Sequence, residues 1–216
     1  MCARYSISKP IELLEKRFGI IVPKNVYQPR YNASPIQLMP VITTEAPKEL
    51  LYYQWGLIPS WSKDKSIGSR LFNARAETID EKPSFRGSFK RKRCLIPADG
   101  FYEWDKDHSP YRFTLKNNDV FVFAGISDTW ENGNNIVDTF SIITTEANKT
   151  VGHVHERMPV ILHPEDESFW LDSDSNLEAI KSLLKPFDNK LMEYYPVDRL
   201  VNNAKNDIPE VLLPRK

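Results

Sequence analysis

Short apolar segments separated by turn residues fill the middle of the chain, and such segments satisfy their backbone polar groups by pairing as strands. Residues 112–115 and 120–123 flank a polar turn, so we expect them to form a hairpin. A second turn begins at Asn132-Gly133 and is followed by a strand at residues 139–143. This pattern predicts a curved, mostly antiparallel sheet or barrel.

Two helices are predicted beside the strands. Ile11, Leu14 and Phe18 recur on one helical face within residues 10–19, and a capping sequence opens a second helix within residues 175–186. Sixteen prolines and only eight glycines indicate long loops of fixed conformation. The fold class is therefore α+β, a β-rich and barrel-like fold with flanking helices, and we expect residues 1–216 to form a single domain.

The composition excludes several classes of protein. Hydrophobic residues make up 41% and aromatic residues 12% of the 216 positions, which excludes general disorder. The longest apolar stretch, residues 120–126, is too short to span a bilayer, and no apolar segment follows Met1 as it would in a signal peptide. Two cysteines do not make a disulfide framework. We expect a cytoplasmic monomer that does not associate with membranes.

The local charge is uneven although the net charge is zero. Residues 63–93 carry ten basic side chains (63, 65, 70, 75, 82, 86, 90, 91, 92, 93) against four acidic ones (64, 77, 80, 81). Asn73 and Arg75 lie in this basic segment. Arginines interleaved with aromatic surface from Trp55, Trp61, Trp104 and Trp130 suit single-stranded nucleic acid, whose bases stack and whose phosphates pair. A solvated charged loop and a tryptophan core are the alternatives.

Cys2 becomes the N-terminal residue if Met1 is removed. Its α-amine then titrates at about pH 7.7–8.0, so part of it is neutral at pH 7 and able to form a Schiff base. The thiol on the same residue can add to that imine and close a five-membered thiazolidine ring. This chemistry requires an aldehyde. The alternative is a small residue near a flexible terminus.

Glu103 lies in a predicted strand, on the same face as Phe101 and between aromatic residues. A carboxylate in apolar surroundings has a raised pKa, which suits general acid–base chemistry. An edge-strand glutamate that reaches solvent is the alternative.

His155 and Arg157 share a face with His153 if this segment is extended. A proton-shuttling histidine beside an anion-binding arginine is the functional interpretation, and a strand-end histidine with a surface arginine is the alternative. A His-x-His pair is a weak metal signal, and no third ligand cluster lies near it.

Cys94 is predicted to be buried and inert. Since phosphate-loop and dinucleotide-binding motifs are also absent from the sequence, we expect neither a metal nor a cofactor.

Eight segments together resemble the SRAP family, the SOS response-associated peptidase proteins that act at abasic sites in DNA. They run in family order through about three quarters of the chain: Met1-Cys2-Ala3-Arg4-Tyr5, Arg30-Tyr31-Asn32-Ala33-Ser34-Pro35, Trp55-Gly56-Leu57-Ile58-Pro59-Ser60-Trp61, Asn73-Ala74-Arg75-Ala76-Glu77-Thr78, Cys94-Leu95-Ile96-Pro97-Ala98-Asp99-Gly100-Phe101-Tyr102-Glu103-Trp104, Phe123-Ala124-Gly125-Ile126, Ile142-Ile143-Thr144-Thr145-Glu146-Ala147-Asn148 and His155-Glu156-Arg157-Met158-Pro159-Val160-Ile161-Leu162. Each segment alone is a weak signal, but the combination is highly specific. The family usually has glycine where this chain has Ala3.

The resemblance implies a β-rich, barrel-like fold and a covalent cross-link to abasic sites in single-stranded DNA. Cys2 would be the nucleophile, first through its amine and then through its thiol. Asn73 would position the lesion and its phosphate, Glu103 would exchange protons with the amine, and His155 would assist opening of the sugar ring. Strand-cleaving lyase activity and self-removal of residue 1 are also implied. The implied DNA-binding residues are Arg4, Arg75 and Arg157 for phosphates, and Trp61 and Trp104 for bases.

Two other functions stay open. The first is a cysteine peptidase acting on proteins, although Glu103 is an unusual base for a thiol because cysteine peptidases use histidine. The second is a non-catalytic binder of single-stranded nucleic acid, in which replacing Cys2 would leave all activity intact.

Overall fold

The structure is a computed structural model that describes residues 2–22 and 26–215. Within these residues, strands alternate with short helices and 3-10 turns. The strands are β1 (Tyr5–Ile7), β2 (Arg30–Ala33), β3 (Leu38–Thr43), β4 (Leu51–Trp55), β5 (Asn73–Arg75), β6 (Arg93–Ala98), β7 (Gly100–Trp104), β8 (Pro110–Leu115), β9 (Phe121–Asn132), β10 (Asn135–Glu146), β11 (Arg157–Pro159), β12 (Ile161–Leu162) and β13 (Met192–Pro196). The helices are α1 (Ile11–Phe18), α2 (Arg86–Arg91), α3 (Glu167–Leu171) and α4 (Leu177–Ser182).

Five of the strands close into a barrel. They follow the order β10, β4, β3, β6 and β9, and the ring closes because β9 also pairs with β10. The long strand β10 extends past this ring, where β5 lies along one of its edges and β11 along the other. The predicted α+β, barrel-like fold is confirmed.

A second sheet lies beside the barrel in the order β13, β8, β7, β1 and β2. Its strand β1 is joined to the barrel core through Tyr5, a fully buried residue whose ring lies 5.1 Å from Trp55 and 5.6 Å from Phe123. Aromatic pairs at these distances and edge-on angles are favourable beyond the area they bury. The N-terminal segment is therefore fixed in the core.

The predicted first helix is confirmed as α1. It ends at Gly19, which has a φ of 61° in the left-handed region, and it buries Leu14. The second predicted helix is α4, whose N-cap is Asn176; that side chain accepts hydrogen bonds from the backbone N–H groups of Glu178 and Ala179. None of the helices described is long and apolar enough to cross a membrane.

The predicted hairpin of residues 112–115 and 120–123 is wrong. The first segment belongs to β8, whose two edges pair with β7 and β13, whereas the second lies in β9 of the barrel. The turn signal specifies a reversal of the chain but not the partner of each strand, and both edges of β8 are already occupied. The second turn is confirmed, because β9 and β10 form a long hairpin around Gly133, which has a φ of 59°.

Candidate active site

Cys2 lies immediately before β1 and is completely buried in the core. Its Sγ lies 3.7 Å from the carbonyl oxygen of Arg4. Burial raises the pKa of the Cys2 thiol far above its ordinary range, and the nearby Glu103 carboxylate raises it further. The alternative of a flexible terminal residue is therefore wrong. Met1, whose removal the amine chemistry requires, lies outside the described residues.

Asn73 contacts Cys2 directly. Strand β5 runs parallel to β10 with Asn73 opposite Ile142, and this pairing holds the side chain so that its Nδ2 donates a 2.7 Å hydrogen bond to the Cys2 carbonyl. The amide Oδ1 is buried and accepts no hydrogen bond from the residues that the structure describes. An unsatisfied buried amide oxygen is costly, so this atom is suited to accept a donor from a ligand or from a matured terminus.

Glu103 lies on β7 beside the N-terminal segment, where the backbone N–H of neighbouring Tyr102 donates to the carbonyl of Arg4 at 3.0 Å. Its side chain is only 3% exposed and lies on the face of buried Phe101, so the solvent-facing alternative is wrong. Burial raises the pKa of Glu103 to about 7. The carboxyl group can therefore both hold and release a proton near neutral pH.

His155 is half-buried in the loop before β11. Its Nδ1 lies 3.0 Å from the backbone nitrogen and 3.2 Å from the carbonyl oxygen of Arg157, so the Arg157 backbone orients the ring. Burial lowers the pKa of His155, which favours the neutral form of the ring. The predicted extended face shared with His153 is wrong, because His153 ends a 3-10 turn (Val151–His153).

Arg75 and Arg157 lie on the two edges of β10 near its end. Arg75 pairs with Thr144 from β5 and is exposed, whereas Arg157 is paired opposite Glu146 from β11. The Arg157 guanidinium holds both carboxylate oxygens of Glu77, at 2.5 and 3.0 Å, and donates to the Thr144 carbonyl at 2.7 Å. Arg75 is thus open to solvent, while the Arg157 fork is already occupied.

Arg4 and Trp104 form a fixed pair. In the sequence Arg4 lies two positions after Cys2, and Trp104 directly follows Glu103. Arg4 donates to Asn32 Oδ1 at 2.9 Å and to the Val201 carbonyl at 2.7 Å, and its guanidinium lies 6.0 Å from the Trp104 ring centre. The Trp104 indole N–H donates to Asn202 Oδ1 at 2.7 Å. Both side chains are therefore oriented by the C-terminal segment.

The structure brings some of the sequence-predicted residues into contact and leaves others apart. Cys2 contacts Asn73 directly and is influenced by the charge of Glu103, and the pairing around β10 gathers Asn73, Arg75 and Arg157. Trp61 lies in a turn after β4 and is 61% exposed. Across residues 2–22 and 26–215, no three His, Cys, Asp or Glu side chains are grouped to hold a metal ion.

Comparison with known proteins decides the family. The family model described as SOS response associated peptidase (SRAP) matches residues 1–204. The chain belongs to the SRAP family. The abasic site processing protein YoqW of Bacillus subtilis strain 168 is 41% identical over 221 residues, which cover 98% of this chain and 99% of YoqW.

More distant SRAP relatives agree over similar lengths. The abasic site processing protein HMCES of Mus musculus is 32% identical, with 99% of this chain and 76% of HMCES covered. A crystal structure of a protein from Bacteroides thetaiotaomicron superposes with a TM-score of 0.92 at 31% identity, and the match covers 100% of both chains. The whole chain therefore shares the fold of that crystal structure.

The residues that anchor β1 in this SRAP chain were not predicted from the sequence. The buried Asp99 carboxylate accepts hydrogen bonds from Ser6 Oγ at 2.6 Å, from the Ser8 backbone N–H at 2.5 Å and from Arg112 Nη2 at 3.0 Å. The sequence did carry a signal for this network, because Asp99 lies between two apolar strands. An aspartate in that position is rarely buried without partners.

The basic segment is also less exposed than its charge count predicts. Arg93 is fully buried and donates to the carbonyls of Phe89, Lys90 and Trp170. Its role is structural, so the predicted surface charge of residues 63–93 is an overestimate.

Proposed function

We propose that this protein acts at abasic sites in single-stranded DNA and attaches to them covalently through Cys2 after Met1 is removed. Its relatives are named abasic site processing proteins. The observation that carries the proposal is the environment of Cys2, whose carbonyl is held by Asn73 and whose thiol is influenced by buried Glu103.

The proposed reaction begins with an abasic deoxyribose that has opened to its aldehyde. The Cys2 amine attacks the aldehyde carbon, one water leaves, and a C=N bond forms. The Cys2 sulfur then adds to the same carbon while the thiol proton moves to the nitrogen. The product is a five-membered thiazolidine, and the cross-link has lost one water relative to its two components.

Glu103 is the proposed proton carrier of both steps. With a pKa of about 7, its carboxyl group can take a proton from the amine and return it to the leaving water. The same exchange would run in reverse when the ring opens. His155, whose lowered pKa favours the neutral ring, is proposed to assist opening of the sugar.

The raised pKa of the Cys2 thiol favours this order of events over a peptidase that acts on other proteins. Cysteine peptidases require a thiolate, which burial disfavours here. In the proposed mechanism the amine attacks first, and the thiol adds only to an imine already held beside it. The Schiff base would also permit β-elimination, so strand cleavage belongs to the same proposal. Self-removal of residue 1 is proposed as a separate, earlier step, in which one water hydrolyses the Met1–Cys2 peptide bond and frees the Cys2 amine.

The proposed DNA contacts differ in how they are held. Exposed Arg75 is free to approach a phosphate, whereas Arg157 would have to share its guanidinium with Glu77. Arg4 and Trp104 would act as a pre-oriented pair on the strand, and Trp61 would stack against a base.

A Cys2→Ala variant tests the proposal, since its matured terminus keeps an amine but loses the thiol. We expect wild-type protein to cross-link an abasic oligonucleotide without reductant, and Cys2→Ala to do so only when borohydride traps the imine. Cys94→Ala, which removes the other buried thiol, is the matched control and should behave as wild type. Equal reductant-free cross-linking by Cys2→Ala would contradict the role of the thiol.

A further inference from the structure

A groove lies between helix α1 and the turn that joins β8 to β9. Its more enclosed part has a volume of about 260 Å³ and is lined by residues of β8, β9 and β12 and by the segment around Phe187. A more open part of about 400 Å³ lies along α1, and Arg17, Asp119 and Val120 line both parts. We call the two parts together the α1 groove. None of its described lining residues belongs to the candidate active site.

The interior of the α1 groove is apolar. Four buried side chains line its enclosed part: Val120, Phe121, Leu162 and Phe187. Two leucines stay exposed at its surface, Leu191 (47% exposed) beside the enclosed part and Leu13 (49% exposed) in the open part. Exposed leucines next to an apolar cavity leave hydrophobic surface that a bound partner removes from water.

The rim of the α1 groove is basic. Lys9 and Lys16 line its open part, and Lys116 lines its enclosed part. None of these three ammonium groups forms an ion pair with the part of the chain that the structure describes. Asp119 is the one carboxylate among the described lining residues. The unpaired positive charge therefore favours an acidic ligand.

Two contacts favour a protein segment over a nucleic acid. Arg17 is the one arginine among the described lining residues, and its guanidinium already holds both carboxylate oxygens of Glu167, so it offers no free fork to a phosphate. The Phe187 ring is buried and stacks on His163, with 4.6 Å between the ring centres. Single-stranded nucleic acid instead stacks its bases on exposed aromatic faces.

We propose that the α1 groove binds a protein partner through a short acidic segment that carries one apolar or aromatic anchor side chain. The anchor enters the enclosed part against Phe121 and Leu162, and carboxylates beside it pair with Lys16 and Lys116. Two joined cavities fit an extended chain segment better than a compact small molecule. This surface is separate from the reaction proposed for Cys2.

The test measures the binding of three fluorescein-labelled peptides to the full chain by fluorescence anisotropy. The first peptide has four aspartates followed by Leu-Phe, the second replaces Leu-Phe by Ala-Ala, and the third replaces the aspartates by serines. We expect the first to bind at least about fivefold more tightly than either of the others, because it alone combines the charge with the anchor. Absence of binding by the first peptide would overturn the inference, as would equal binding by the first and either of the others.

A double variant tests the basic rim. Lys16→Ala/Lys116→Ala removes two of the unpaired charges, and Lys63→Ala/Lys65→Ala is the matched control because it removes two exposed lysines outside the groove. We expect the rim variant to bind the acidic Leu-Phe peptide about fivefold more weakly than wild type, since each exposed ion pair contributes modestly. The control should bind it nearly as wild type does. Equal affinities of the two double variants would overturn the inference.

Leu191→Ser tests the apolar wall. Leu191 is already half-exposed, so the variant should fold, and urea denaturation checks this. We expect it to bind the acidic Leu-Phe peptide about threefold more weakly than wild type, because less apolar surface is buried. Leu213→Ser, at a 59% exposed position outside the groove, is the control. Equal affinities of these two variants would also overturn the inference.

Two further measurements distinguish other occupants. A labelled undamaged oligothymidylate should bind Lys16→Ala/Lys116→Ala as tightly as wild type, and a loss as large as that of the peptide would overturn the inference in favour of nucleic acid. Light scattering tests for self-association, and a dimer that dissociates in Leu191→Ser would overturn it in favour of a second copy of this chain. None of these measurements uses abasic DNA, so the proposed function can fail without affecting them.

Discussion

Individual side chains near Cys2 owe their chemistry to burial. Alternation along a strand correctly predicts that Glu103 lies on the face of Phe101, and the apolar surroundings raise its pKa to about 7. The orientation of His155 could not be predicted the same way. It depends on a hydrogen bond from the Arg157 backbone and on a 3-10 turn that no local periodicity marks.

Asn73→Ala removes the 2.7 Å hydrogen bond to the Cys2 carbonyl and the buried Oδ1. We expect cross-linking to slow by about fivefold, because a hydrogen bond that orients a nucleophile is typically worth about 1 kcal/mol. Affinity for an undamaged strand should stay nearly unchanged. A gel-shift titration measures both quantities, and a parallel loss of both would refute the positioning role.

Glu103→Gln tests the pKa of this residue through stability. The folded-state pKa of about 7 lies above the ordinary value of 4.5, so its favourable contribution is fully present below about pH 4.5 and is lost as the pH rises through 7. The glutamine side chain does not ionise, so the variant does not lose this stability as the pH rises. Urea unfolding should therefore find it more stable than wild type by up to about 3 kcal/mol near pH 8, and about equally stable near pH 4.

The catalytic effect of Glu103→Gln should be opposite in sign to the effect on stability. Cross-linking should slow, and its dependence on pH near 7 should flatten, since glutamine cannot exchange a proton. A variant that melts well below wild type at both pH values would instead make Glu103 a structural residue.

Helices, strands and turns could be predicted from the sequence where residues close in the chain determine them. The apolar spacing and Gly19 define α1, and the turn at Gly133 defines the β9–β10 hairpin. The pairing of β8 with β7 is local, since a short turn at residues 105–109 joins them, but the prediction paired β8 across the turn on its other side. The pairing of β8 with β13 was not predictable, because β13 lies far along the chain and reaches β8 only through tertiary structure. The anchoring of β1 by Asp99 is likewise a tertiary property.

Asp99→Ala should destabilise the protein by about 3–5 kcal/mol, because it leaves the buried Arg112 guanidinium without its carboxylate partner. Urea denaturation measures this change. Asp107→Ala, at an exposed loop position, is the control and should shift stability by no more than about 0.5 kcal/mol. Similar midpoints for the two variants would show that Asp99 does not anchor β1.

At the scale of the whole molecule, barrel closure brings distant segments to one place. Asn73 is 71 positions from Cys2 in the sequence, yet its side chain binds the Cys2 carbonyl because β5 pairs with the end of β10. Composition and strand patterns predict a β-rich barrel, but only the observed pairings show which loops meet. The site motifs were recognisable in the sequence because each is a contiguous segment.

The covalent reaction at Cys2 is tested most directly by intact mass. Protein confirmed to lack Met1 is mixed with a single-stranded oligonucleotide that carries one abasic site, with Cys2→Ala and an undamaged strand as controls. We expect an adduct whose mass is the sum of the two components less one water, stable to heat without borohydride and absent from both controls. Absence of any adduct from the matured wild-type protein would contradict the proposed reaction.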